Sequence, residues 1–253
     1  MKLGKHSQIT IGTKDVQKSY ALYEKLGFRK IGESDKPYPW IQITDDSTLI
    51  LLSGDGMEYM GLTYFEKGMQ DKVAQMEKEG VKFIQKTEQA GAFQAIFGSP
   101  DDFYISLVDY ESPESVENTK KRTTLANYAE TEWQNINTYP NPNCGIFGEL
   151  CIPVKDLDTS IAFWEKYGFE VKKYGGPYPW AIGQDGMNII GLHQTTEFTK
   201  PAITYFAKDM GEKIKALKTN GVESLKIFGG TGGNESNMVL TTPENQQFFL
   251  FSY

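Results

Sequence analysis

The tetrapeptide Pro-Tyr-Pro-Trp occurs twice, at Pro37–Trp40 and at Pro177–Trp180, a spacing of 140 residues in a chain of 253. A repeat at that spacing requires one folding unit to be built twice, and this limits the possible architectures more than any local signal does. Other matches keep nearly the same offset. Asp15 and Ser19 answer to Asp156 and Ser160, Tyr23-Glu24-Lys25 and Gly27-Phe28 to Trp164-Glu165-Lys166 and Gly168-Phe169, and Thr63-Tyr64-Phe65 to Thr204-Tyr205-Phe206, each 141 apart. The offset reaches 143 at Pro100/Pro243 and Tyr110/Tyr253. The small slips fall where Gly, Pro and Asp cluster, in loops that change length without shifting a strand's register. The chain reads as a tandem duplication.

Within the first copy, Ile9-Thr10-Ile11 alternates as a strand does, and Val16, Tyr20, Tyr23 and Leu26 follow helical spacing up to a stop at Gly27. Strand-like runs follow at Arg29–Gly32, Trp40–Thr44 and Thr48–Leu52, divided by turn residues at Asp35-Lys36-Pro37 and Asp45-Asp46-Ser47. The same β-α-β-β-β order restarts at Leu62–Phe65, with a helix at Met69–Glu79 and strands at Val81–Gln85, Phe93–Phe97 and Tyr104–Val108. Copy two repeats the course from Leu150 to Ser252, with Val222–Lys226 as the counterpart of Val81–Gln85. Each copy thus holds two modules, and the expected domains are 1–111 and 146–253. The polar stretch 112–145 exceeds the 12–15 residues usual for an unstructured connection and reads as a linker, with a helix expected near Thr124–Asn135.

Composition excludes several functions. The 26 Lys and Arg against 33 Asp and Glu give a net charge of −7, and the longest basic run is Lys120-Lys121-Arg122, so nucleic acid is not an expected partner. An aromatic content of 13% is too rich for a disordered acidic chain. No apolar run reaches membrane-spanning length and the first residues lack a signal-peptide core, so no membrane association and a cytoplasmic location are the expectations. Cys144 and Cys151 form no CxxC pair and read as free thiols. There is no HExxH, GxSxG or GxxxxGK[ST] motif. The glycine-rich Gly229–Gly233 lacks the lysine and following helix of a phosphate loop and reads as a hairpin loop.

Four such modules, carrying Asp15-Val16-Gln17-Lys18-Ser19-Tyr20 with Tyr23-Glu24-Lys25-Leu26-Gly27-Phe28, and Asp156-Leu157-Asp158-Thr159-Ser160-Ile161 with Trp164-Glu165-Lys166-Tyr167-Gly168-Phe169, resemble the vicinal-oxygen-chelate superfamily. That family includes glyoxalase I, extradiol dioxygenases and bleomycin- and fosfomycin-resistance proteins. Ser99-Pro100-Asp101-Asp102 and Thr242-Pro243-Glu244-Asn245 resemble its Asp-Pro-Asp-Gly turn. The resemblance implies an α+β fold in which four βαβββ modules pair into two glyoxalase-like domains with cupped mixed sheets. It also implies, in catalytic members, one divalent metal held by His, Gln or Glu on the first and last strands of the modules. Counting from Asp15 and Asp156 places Gln8 and Glu149 at the first-strand positions. The other positions fall on Ile50, Gly61 and Ser106 in copy one and on Ile190, Ala202 and Phe249 in copy two. One donor of four in each copy cannot offset the dehydration of a cation, so both sites are expected to be metal-free, with no cofactor.

Alternation sets Gln8 with Thr10, and Glu149 with Cys151, on the faces opposite Ile9/Ile11 and Leu150/Ile152. Glu149 is the candidate catalytic residue, since a carboxylate enclosed by aromatic rings is a possible general base. Trp40, Phe65, Trp180, Phe206 and Phe249 are the candidate pocket walls beside Gln8 and Glu149, or else ordinary core aromatics. His193, which ends a strand where copy one has Ser53, reads as structural. The expected function is metal-independent binding of a small, partly apolar molecule. The alternative is a metal-dependent lyase, isomerase or dioxygenase, with Gln8 or Glu149 on the metal. Four modules in one chain supply pairing internally, and the chain is expected to be a monomer or homodimer.

Overall fold

The structure, a computed structural model, describes residues 1–89, 91–111, 139–228 and 235–253. The helix expected at Thr124–Asn135 and the loop at Gly229–Gly233 lie outside the described residues. The first module is β1 (His6–Gly12), α1 (Val16–Lys25), β2 (Arg29–Ser34), β3 (Trp40–Thr44) and β4 (Leu49–Ser53). The second is β5 (Tyr59–Phe65), α2 (Met69–Lys78), β6 (Gln85–Gln89), β7 (Ala92–Gly98) and β8 (Tyr104–Val108). The third is β9 (Ile146–Pro153), α3 (Leu157–Lys166), β10 (Glu170–Tyr174), β11 (Trp180–Gln184) and β12 (Ile189–His193). The fourth is β13 (Ala202–Phe206), α4 (Met210–Thr219), β14 (Leu225–Ile227), β15 (Asn237–Thr241) and β16 (Gln247–Phe251). No helix among the described residues is long and apolar enough to cross a membrane.

The repeat is visible in the local chemistry. Asp15 and Asp156 cap α1 and α3 by accepting the backbone N–H of Lys18 and Thr159, and Gly27 and Gly168 end those helices at φ 93° and 87°. The runs Val81–Gln85 and Val222–Lys226 are not strands over the expected residues, since β6 and β14 begin at Gln85 and Leu225. Val81 and Val222 instead donate their N–H groups back to Met76 and Leu217, closing the ends of α2 and α4 after Gly80 and Gly221. A valine one residue past the glycine belongs to the helix cap, which apolar content alone does not reveal.

Two eight-stranded mixed sheets result, in the orders β2-β3-β4-β1-β5-β8-β7-β6 and β10-β11-β12-β9-β13-β16-β15-β14. The β5–β8 and β13–β16 pairs are parallel. The two orders are the same order shifted by eight strands, so the tandem architecture of two glyoxalase-like domains is present in full.

Contacts gather the chain into two compact units, each drawing on both copies: Met1–Thr10, Met60–Lys121 and Ile152–Thr199 in one, Ile11–Tyr59, Arg122–Cys151 and Lys200–Tyr253 in the other. In the first unit Tyr64 donates to Asp185 at 2.7 Å, Ser7 donates to Asn188 at 3.0 Å, and Phe97 and Phe103 pack on Tyr167 and Trp164. In the second, Tyr205 and Asn141 donate to Asp45, and the Tyr205 ring packs on Phe28, Phe147 and Phe248. Asp45 and Asp185 are counterparts, and so are Tyr205 and Tyr64, so the copies are joined reciprocally. Each aspartate spends one oxygen folding its own hairpin tip: Asp45 Oδ1 accepts from Ser47 N at 3.0 Å and Thr48 N at 2.8 Å, and Asp185 Oδ1 from Met187 N at 2.8 Å and Asn188 N at 2.7 Å. The other oxygen receives the tyrosine.

The segment Tyr139–Gly145, at the end of the expected linker, is packed within the second unit. Asn141 and Cys144 are buried, Cys144 donates to the Leu26 carbonyl at 3.2 Å, and Lys213 donates to the Pro142 carbonyl at 2.8 Å. In the same unit the hydroxyl of fully buried Tyr23 and both carboxylate oxygens of Glu244 have no hydrogen-bond partner among the described residues. Burial, and then the Glu244 charge, push the Tyr23 phenol well up. A buried hydroxyl without a partner carries a desolvation cost and returns nothing, so Tyr23→Phe is expected to leave stability unchanged or raise it by up to about 1 kcal/mol. Urea unfolding at neutral pH checks this, and a loss larger than that gain would mean the hydroxyl has a partner in solution.

Candidate metal centre

Strand β9 carries Glu149 and Cys151 two residues apart and therefore on one face, while Leu150 and Ile152 turn into the core on the other. On one side β13 sets Thr204 opposite Glu149 and Ala202 opposite Cys151. On the other side lies β12, whose last residue, His193, is paired with Trp180 of β11. One donor atom each from Glu149, Cys151 and His193 lie within 4.8 Å of one another, and all three residues are buried.

Each side chain is held. The Cys151 thiol donates to Glu149 Oε1 at 2.9 Å and its sulfur lies 2.9 Å from Thr204 Oγ1. Burial, followed by the Glu149 charge, pushes the Cys151 thiol well up, so with no cation present it is a protonated donor. The His193 ring stacks on Trp180 at 5.8 Å and meets the Phe198 edge at 5.6 Å, and its Nδ1 lies 3.3 Å from the Tyr178 hydroxyl. Trp180 stacks on Tyr174 at 4.6 Å with its other face. The imidazole is thus fixed by aromatic packing and a polar partner on one nitrogen, an arrangement that orients a ligating histidine.

The donors suit a divalent cation. Carboxylate, thiolate and imidazole are the common ligands of zinc and of neighbouring first-row metals, and three protein donors with a fourth position open is the composition of a catalytic site. Ligand bonds of about 2.0–2.3 Å put tetrahedral donors roughly 3.3–3.8 Å apart, so 4.8 Å requires only a small contraction.

The same positions of the first sheet hold Gln8, Thr10 and Ser53, with Trp40 opposite Ser53 as Trp180 is opposite His193. Thr10 bonds Thr63 at 2.7 Å just as Cys151 contacts Thr204, and Gln94 donates to Ser106 at 2.8 Å. No ionisable side chain stands at these three positions.

The expectation of one donor of four in copy two is corrected: three converge. Counting placed the fourth-strand position on Ile190, which is wholly buried, whereas the register puts His193 opposite Trp180. Cys151 was set aside for want of a second cysteine. The signals were present in the pattern Glu149-x-Cys151 and in a histidine found in only one copy of the repeat.

Of the candidate wall residues, Trp180 touches the cluster through His193. Phe249 lies opposite Thr204 on β16 and stacks on Phe251 at 5.4 Å. Phe206 packs on Phe251, and its ring lies where a side chain at Gly148 would be. Trp40 and Phe65 belong to the first sheet, Phe65 opposite Val108.

No protein-family model matches the chain, and no curated protein does. Solved structures do. A catechol 2,3-dioxygenase matches with a TM-score of 0.60 at 11% identity, over 100% of this chain and 94% of that one. A Mn(II)-bound glyoxalase from Novosphingobium aromaticivorans matches with a TM-score of 0.59 at 15% identity, over 97% of this chain and 80% of that one. A variant of homoprotocatechuate 2,3-dioxygenase from Brevibacterium fuscum matches with a TM-score of 0.60 at 11% identity, over 100% of this chain and 72% of that one. The repeat, the paired sheet orders and these likenesses agree: the chain has the fold of the vicinal-oxygen-chelate superfamily, in its tandem two-domain form.

Proposed function

We propose that the second sheet binds one divalent cation through Glu149 and His193 and that the protein is a metal-dependent enzyme, a dioxygenase before a lyase or isomerase. The observation that carries this reading is the buried convergence of Glu149, Cys151 and His193. The order of preference follows the names of the structures it resembles, several of them dioxygenases of catechol-type compounds and one a Mn(II)-bound glyoxalase. A bound divalent cation supplies Lewis-acid polarisation of substrate oxygens. Glu149 would contribute a carboxylate oxygen and His193 a ring nitrogen, with the imidazole oriented by Trp180 and by Tyr178. Trp180, stacked between His193 and Tyr174, would hold the imidazole in its orientation.

The test is elemental analysis of protein purified without a histidine tag and reloaded with Fe²⁺, Mn²⁺ or Zn²⁺, followed by oxygen uptake with catechols and by a glyoxalase assay. About one equivalent of metal is expected in the native protein. Glu149→Ala and His193→Ala should each lose more than the roughly 10–100-fold in affinity that removal of an outer-shell partner costs. A native protein that retains no metal under any loading would overturn the reading.

A further inference from the structure

We infer that Cys151 is the third ligand, bound as a thiolate, and that its sulfur makes the site select thiophilic cations such as Zn²⁺, Fe²⁺ and Co²⁺ over Mn²⁺ and Mg²⁺. The inference rests on the metal reading above and concerns which cation the site takes.

Three observations carry it. First, the thiol hydrogen lies between Cys151 Sγ and Glu149 Oε1, 2.9 Å apart, and His193 lies within 4.8 Å of both donors. A cation arriving among these donors takes the place of that proton, which leaves to solvent as the metal–sulfur bond forms; no electrons are transferred. Thiolate and carboxylate together then neutralise the charge of a divalent ion, which a buried site favours over carboxylate and imidazole alone.

Second, Thr204, only 1% exposed, has its hydroxyl 2.9 Å from the sulfur. Once the thiol proton is gone, that hydroxyl donates to the thiolate and fixes the lone pair left for the metal. Thr204 is a positioning residue and not itself a ligand.

Third, the duplication provides an internal control. Two neighbours of the cluster are alike in the two copies, Thr63 for Thr204 and Trp40 for Trp180, while Ser106 beside Thr63 stands for Phe249 beside Thr204. The three donor positions differ together, with Gln8, Thr10 and Ser53 standing for Glu149, Cys151 and His193. The cysteine stands in the copy that also has the glutamate and the histidine. Soft thiolate shifts preference toward zinc, ferrous iron and cobalt and away from manganese and magnesium, which favour all-oxygen ligands.

Cobalt(II) reads the sulfur directly. Titrated into metal-free native protein, Co²⁺ should give visible d–d bands together with an intense near-ultraviolet sulfur-to-cobalt charge-transfer band. Cys151→Ser should keep the d–d bands and lose the charge-transfer band, and its Zn²⁺-over-Mn²⁺ preference should fall at least about tenfold. Cys144→Ser, at the other buried thiol, should change neither. Cobalt bound by the native protein without the charge-transfer band, or a cation preference untouched by Cys151→Ser, would overturn the inference and leave the metal reading standing. No cobalt binding by the native protein would overturn both. The native spectrum needs no variant, so a poorly folding Cys151→Ser does not remove the test.

Discussion

Asp45→Ala should destabilise the protein by about 3–5 kcal/mol, a large part of the roughly 5–15 kcal/mol that holds a domain folded. The carboxylate accepts from Tyr205, Asn141, Ser47 and Thr48, all within one buried knot. Truncation strands these donors, and each buried donor without an acceptor costs about 1–3 kcal/mol, part of which relaxation of the hairpin recovers. Urea or thermal unfolding measures the loss, and a change below 1 kcal/mol would mean that the tyrosine is not held by this acid.

The same residue gives a pH signature. Burial outweighs the donors and raises the Asp45 carboxyl above its ordinary value of 3.8. The folded state therefore keeps this proton at pH values where the unfolded chain has released it, and stability falls as pH rises through that interval. The contribution is fully present below the ordinary carboxylate value and is lost above the raised one. Asp45→Asn, compared with the native protein by unfolding at a series of pH values, should remove that slope.

Gln8→Glu, Thr10→Cys and Ser53→His, made together in the first sheet, should raise metal content from about one equivalent to about two. The flanking groups are already in place, with Thr63 bonded to Thr10 at 2.7 Å and Trp40 opposite Ser53. Elemental analysis decides it. Stoichiometry unchanged in a folded triple variant would show that the two sheets differ in more than the three donors.

The fold was legible because the duplication let one copy check the other. Pro37–Trp40 and Pro177–Trp180 fixed the offset, and Asp15 with Asp156 and Gly27 with Gly168 marked where the helices begin and end. The strands at Val81 and Val222 were misplaced because a helix cap and a strand start use the same apolar residues.

The site was half legible. Glu149 followed from counting on β9, but His193 depends on the pairing of β11 with β12, and register across strands is written in hydrogen bonds that no single strand's pattern encodes. The aspartate–tyrosine pairs were also out of reach. Asp45 and Tyr205 lie 160 residues apart, and each reads alone as an ordinary turn residue and an ordinary core aromatic.

Each compact unit takes segments from both halves of the chain. Neither half therefore owns a complete unit, and the duplication cannot be undone by deletion: removing one copy takes the tyrosine or the aspartate from each reciprocal pair. In evolutionary terms the copies are bound to a common fate as scaffold while remaining free to part as chemistry. The first can drift at Gln8, Thr10 and Ser53 without forfeiting its place, because what keeps it is its service to the other copy's folding.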